Sequence, residues 1–130
     1  MNNSGLEFEL GYSKRINEFN ISANSTFAIL KNEITNLGNN IDYFTGPGFQ
    51  SMGPVTRTEV GNSYNEFYGF QTNGIFQNQA EINASPVQNL GSPTSPGDLK
   101  FKDVNGDGVV DFKDRTYIGK SIADYTLGFN

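Results

Sequence analysis

The chain has 130 residues, a net charge of −5 and 35% hydrophobic residues, which fits one modest domain. That balance argues against a nucleic-acid partner, whose phosphates need clustered Lys and Arg. It contains no cysteine and no histidine, so disulfide staples, thiolate chemistry, histidine-based acid–base catalysis and the usual zinc sites are excluded.

The N-terminal stretch MNNSGLEFEL has no basic segment followed by an apolar core, so no signal peptide is expected there. The clearest apolar run, Phe27 to Leu30, is far shorter than the roughly 20 residues of a membrane helix. In LEFELGY the residues Leu6, Phe8, Leu10 and Tyr12 fall on one face, with Glu7, Glu9 and Gly11 on the other. After the polar SKRINE, expected as a turn over Ser13 to Glu18, a second segment begins at Phe19. There Phe19, Ile21, Ala23, Ser25, Phe27 and Ile29 share a face opposite Asn20, Ser22, Asn24 and Thr26. Period-two alternation of this kind predicts an antiparallel β-hairpin. Strands of roughly 8 to 12 residues suit a tilted bilayer crossing, and a soluble sandwich alternates in the same way. In either case the apolar face of a lone hairpin needs a sheet, a helix or lipid against it.

From Leu37 the periodicity fades. NLGNNIDYFTGPGFQSMGP reads as loop, VTRTEVG as a short strand and NQAEIN as a helical turn. SYNEFYGFQTNGIFQ gathers Tyr64, Phe67, Tyr68, Phe70 and Phe76. These rings are expected either to hold the region together from inside or to contact a partner from the surface, with Tyr64, Phe67, Tyr68 and Phe70 the candidate contacts with a partner protein or substrate. NLGSPTSPGD is a linker, LKFKD is extended, and DYTLGFN alternates Tyr125, Leu127 and Phe129 as the onset of another strand. The polypeptide between hairpin and last strand is roughly 85 residues, too long for a bare connection, so it must carry structure of its own.

The stretch DVNGDGVVDFKD follows the calcium-loop pattern closely. Asp103, Asn105 and Asp107 take the first, third and fifth positions, and Gly108 the sixth, where a sharp turn is needed. Val109 would offer its carbonyl at the seventh, Asp111 stands at the ninth, and Asp114 replaces the usual Glu at the twelfth. A hard cation takes six to eight oxygens, which alternate residues of a tight turn can point inward. Asp, Asn and Gly also favour turns without any ion. The expectation is a structural calcium that pins the loop. Nothing in the sequence supports catalysis: no Ser/His/Asp set is possible, and neither GPG nor GDG continues into a phosphate loop.

Taken in order, several stretches resemble the C-terminal barrel region of the SusC/RagA family of TonB-dependent outer-membrane transporters. GLEFELGYSKRINEFNISANSTFAILKNEITNLG is similar to paired barrel strands, VGNSYNEFYGFQTNGIFQNQAEI to a loop segment, PGDLKFKDVNGDGVVDFKDRTYIG to the family's most recognisable stretch, and YTLGFN to a strand re-entering the membrane. The family's proline before that strand is absent, Ala123 preceding Asp124 here. The resemblance implies a mainly β fragment of a transmembrane β-barrel. Residues 1–37 would be a hairpin of two barrel strands with a periplasmic turn, 38–118 a long extracellular loop and 119–130 the start of a further strand. It further implies import of large nutrients such as oligosaccharides or peptides, a SusD-like surface lipoprotein as partner, and the TonB complex acting through parts outside this chain. The apolar faces would meet outer-membrane lipid. The alternative is a self-contained, secreted calcium-binding β-domain for adhesion or assembly, which would bury Phe8, Phe19 and Phe27 within the monomer.

Overall fold

A computed structural model describes residues 1–38, 40–50 and 53–130. Its strands run in the order β1 (Asn2–Ile16), β2 (Phe19–Glu33), β3 (Tyr43–Thr45), β4 (Thr56–Glu59), β5 (Glu66–Gly69) and β6 (Thr72–Ile75). A short helix α1 (Gln79–Asn83) then precedes β7 (Val87–Gln88), β8 (Leu99–Phe101) and β9 (Val109–Val110). A 3-10 turn at Phe112–Asp114 leads to β10 (Thr116–Gly119) and β11 (Tyr125–Phe129). The fold is mainly β, as the alternation predicts. Two units emerge: Met1–Thr45 with Arg57–Glu66 and Lys120–Asn130, and Gly46–Thr56 with Phe67–Gly119.

The first unit is built on a three-stranded antiparallel sheet in the order β1-β2-β11. Its register sets the apolar residues opposite one another. Leu6 faces Ile29 and Phe8 faces Phe27, while Tyr125 and Leu127 of β11 meet the same Ile29 and Phe27 from the other side. Leu10 and Phe129 flank Ser25, and Ile16 meets Phe19. A slip of one residue would throw one strand's apolar side chains onto the polar face, so the pattern excludes odd slips, and the tight connection at Asn17 and Glu18 fixes which residues pair. Backbone bonds carry the β2–β11 pairing past the strand ends, between Asn24 and Asn130 in both directions and from the Leu30 N–H to the Asp124 carbonyl.

The hairpin is longer than the expected strands, with 15 residues in each arm. The connection shrinks accordingly to Asn17 and Glu18, and the expected turn over Ser13 to Glu18 is corrected. Ser13, Lys14 and Arg15 look like turn residues by type, yet they keep the alternation: Lys14 pairs with Ile21 and Arg15 with Asn20. Of the two connecting residues Asn17 takes the left-handed conformation, with φ 54°, which asparagine tolerates better than most residues.

At the far end of β2 the sheet is tied to the following chain. Ile34, almost fully buried, donates to the Asn62 carbonyl and accepts from Gly61. Asn32 Oδ1 accepts from the Tyr64 N–H at 2.7 Å and from Ser63 Oγ at 3.0 Å. The region from Leu37 to Pro54, expected as loop, contains β3, which pairs with β4 at Phe44 and Thr58; Asn39, Ser51 and Met52 in that stretch lie outside the described residues. Arg57 stacks its guanidinium over the Tyr43 ring at 3.7 Å.

The second unit has short strands around a small interior. Phe76 is buried and its backbone is held on both sides, its N–H by Asp98 and its carbonyl by Gly97. β6 pairs with β8, and β7 runs parallel to β9. Gln88 extends that network through its side chain, accepting from the Phe101 N–H at 2.6 Å and donating to the Leu99 carbonyl at 3.1 Å. Helix α1 is capped by Asn78, whose Oδ1 accepts from the Glu81 N–H, and Lys100 pairs with Glu81 at 3.2 Å.

Candidate functional site

The acidic loop leaves β8 and returns through β9. Its carboxylates point at backbone N–H groups. Asp103 accepts from Gly106 at 2.6 Å and from Gly108 at 2.8 Å, one with each oxygen. Both glycines hold left-handed φ, 76° and 86°, which a side chain would resist. Asn105, Asp107 and Asp111 each accept from the N–H two residues on, at 2.8, 2.9 and 2.8 Å. These are successive Asx-turns, the local reason why Asp and Asn recur at this spacing.

Asp114, at the twelfth position, closes the loop from inside. It is fully buried, the Asp111 N–H donates to one of its oxygens, and Val104 and Asn105 donate to the other. Asp111 reciprocates by capping the 3-10 turn that carries Asp114. The Asp111 N–H, with those of Val104 and Asn105, holds the Asp114 carboxyl below the ordinary carboxylate range against the opposing effect of burial, and the Lys113 charge adds to the lowering. Val110 beside it is fully buried, and the Val110 carbonyl accepts from Asn89 on the β7 side.

As a metal centre the loop fits in the kind of its donors, which are hard oxygens with lone pairs to spare beyond the N–H bonds. Among the described residues, however, no three Asp or Glu side chains stand close enough together to hold an ion. The Val109 N–H is bound by Asp107, and Val109 itself opens β9 opposite Val87.

The four candidate contact residues separate. Tyr64 is exposed in the first unit, with its carbonyl accepting from Ser121. Phe67, Tyr68 and Phe70 come together in the second unit. Phe67 and Tyr68 lie in β5 opposite Gly119 and Tyr117 of β10. The Tyr68 and Tyr117 rings meet edge to face at 5.3 Å, and Phe70 packs tilted against Phe101 at 5.4 Å and Phe112 at 6.2 Å. The rings border a cleft of about 500 Å³ with Arg115 on its wall. Sequence reasoning missed Arg115. In the sequence it is only one cation among several, with Lys113 just before it and Lys120 just after.

No protein-family model matches the chain. Over 131 residues it is 32% identical to TonB-dependent receptor P26 of Formosa agariphila, covering 99% of this chain and 13% of that protein. Over 135 residues it is 30% identical to TonB-dependent receptor P3 of the same organism, covering 100% of this chain and 13% of that protein. The chain therefore spans about 13% of the length of the curated relatives it matches, and the likeness runs through both units.

Proposed function

We propose that this chain is a stretch of the β-barrel of a TonB-dependent outer-membrane receptor together with an adjoining surface loop. The whole receptor would be of SusC/RagA type and import large nutrients such as oligosaccharides or peptides. Its partners would be a SusD-like lipoprotein over the barrel and the TonB complex acting through segments beyond this chain. One observation carries the reading: the apolar face of the β1-β2-β11 sheet is open. Phe8 is 55% exposed, Phe19 76% and Leu127 59%. A self-contained secreted domain would have to cover them. The similarity to two receptors over the full chain supports the same reading.

The dimensions agree. From Leu6 to Ile16 the apolar rows span about 34 Å at roughly 3.4 Å per residue, which a tilt of about 40° reduces to the ~25 Å apolar band of a barrel. Beyond Leu6 the same face turns polar at Ser4 and Asn2, opposite Lys31 and Glu33, which pair at 2.9 Å. Tyr125 sits near one edge of the band, Tyr12 and Phe19 toward the other, where interfacial aromatics belong. Lys14 lies near the turn, where its long stem can carry the ammonium out to water. The opposite face presents Glu7, Glu9, Ser13 and Arg15 to a watery lumen. No helix among the described residues is long and apolar enough to cross a membrane, which says nothing of crossing by strands. On gel filtration the purified chain should elute as large assemblies in plain buffer and collapse to one small species in detergent micelles. A stable monomer without detergent would sink the reading.

The role of the acidic loop belongs to the same proposal: a calcium ion pins the loop at the cell surface through Asp103, Asn105, Asp107, Val109, Asp111 and Asp114. The donor chemistry and spacing support this. Tyr64, Phe67, Tyr68 and Phe70 are proposed contacts with the lid protein or the substrate. If calcium binds, raising it to ten times its dissociation constant should stabilise the chain by about 1.4 kcal/mol, whereas magnesium should do much less. An unchanged melting curve in millimolar calcium would leave a metal-free turn.

A further inference from the structure

The cleft of the second unit has a chemical bias that its aromatic lining alone does not explain. Phe67, Phe70, Phe101, Phe112 and Ile118 supply apolar walls, and the only charged side chain among the lining residues is Arg115. No Asp or Glu borders it, in a chain whose net charge is −5. The guanidinium is fixed: Nη2 donates to the Tyr68 carbonyl at 2.7 Å and to the Pro54 carbonyl, and the group lies 5.2 Å from the Tyr68 ring centroid. Those bonds use two of its five N–H donors. Among the described residues nothing accepts from its Nε or Nη1. The carboxylate next in sequence, Asp114, is occupied by three backbone N–H groups instead. Arg115 thus presents a positioned, incompletely paired charge beside an apolar hollow of the size that takes a small ligand.

We propose that this cleft binds a small carboxylate with an apolar body, the ring or chain lying among the phenylalanines and the carboxylate accepting from Arg115. The proposal rests on the cleft alone and stands whether or not the chain belongs to a transporter. The probes are 3-phenylpropionate and its neutral counterpart 3-phenylpropanol, titrated calorimetrically into the full chain in one zwitterionic detergent. The acid should bind saturably and about tenfold or more tighter than the alcohol, because only it forms charge-assisted hydrogen bonds. Arg115→Gln should remove that preference while leaving the alcohol's affinity unchanged. Phe112→Ala, a change at an exposed ring, should weaken both probes alike. Should Arg115→Gln fail to fold, the wild-type pair of probes and Phe112→Ala still decide. No saturable heat from the acid, or an alcohol that binds as tightly as the acid, overturns the proposal.

Discussion

The two units solve opposite problems. The first has long, regular strands whose apolar side chains lie exposed in the chain, Leu10 at 75% and Phe129 at 77%. The second has strands of only two to four residues, yet it closes around Phe76, Val110 and Asp114. Regular backbone pairing therefore does not imply an interior, and an interior does not require long strands. The sheet pairs its strands regularly but leaves β1 and β11 as open edges, and on the proposed reading its apolar face meets apolar surroundings from outside. The second unit satisfies its backbone piecemeal, through Asp103, Asn105, Asp107, Gln88 and Asp114, and it can then bury a few side chains of its own.

The contrast can be broken most strongly at Phe76. Phe76→Ala should cost about 3–5 kcal/mol by chemical denaturation, the range for emptying a buried aromatic site. A loss below about 1 kcal/mol would mean that the second unit has no true core. Asp114 sharpens the comparison next. Its carboxyl is held below the ordinary value of 3.8, so the unfolded chain binds the proton more tightly than the folded one. Its stabilisation is then complete above that ordinary value and fades as pH falls through the lower folded value. Asp114→Asn should lower the denaturation midpoint at neutral pH and flatten the acid limb of the stability profile. An unchanged acid limb would contradict the bonding described for this carboxylate. The smallest effect is expected on the sheet: Phe8→Ala should cost about 1 kcal/mol in detergent, because the ring loses its cross-strand partner Phe27 and some apolar contact but empties no enclosed site. A loss comparable to that at Phe76 would show that Phe8 is packed after all.

How far the sequence disclosed this arrangement follows the same division. Alternation places Leu6, Phe8, Leu10, Phe27 and Ile29 on one face, because a period of two permits only one face to be apolar, but it leaves open which of them stand opposite one another. It misjudged the turn, since Ser13 to Arg15 are turn-like in type while remaining in phase with the strand. In the second unit no period exists to read. Which of five clustered aromatics becomes the buried one, Phe76, depends on the distant Gly97 and Asp98 backbone, and Gln88 acts as a strand partner through its side chain. The acidic spacing was legible as a tight oxygen-rich loop. That these oxygens hold backbone N–H groups was not, since Asx-turns and ion ligation favour the same residues. Arg115 was invisible because a cation gains meaning only from the carbonyls that position it, here those of Pro54 and Tyr68.

The central claim is that one face of the sheet is made for hydrocarbon, and the absence of tryptophan from the chain allows a direct test. Single tryptophans are introduced as Phe8→Trp and Glu9→Trp, neighbours on opposite faces of β1, and their fluorescence is read in micelles containing brominated detergent. The account predicts strong quenching and a blue-shifted emission for Phe8→Trp, with Glu9→Trp remaining water-like and little quenched. Equal quenching at the two positions, or none at Phe8→Trp, would contradict it.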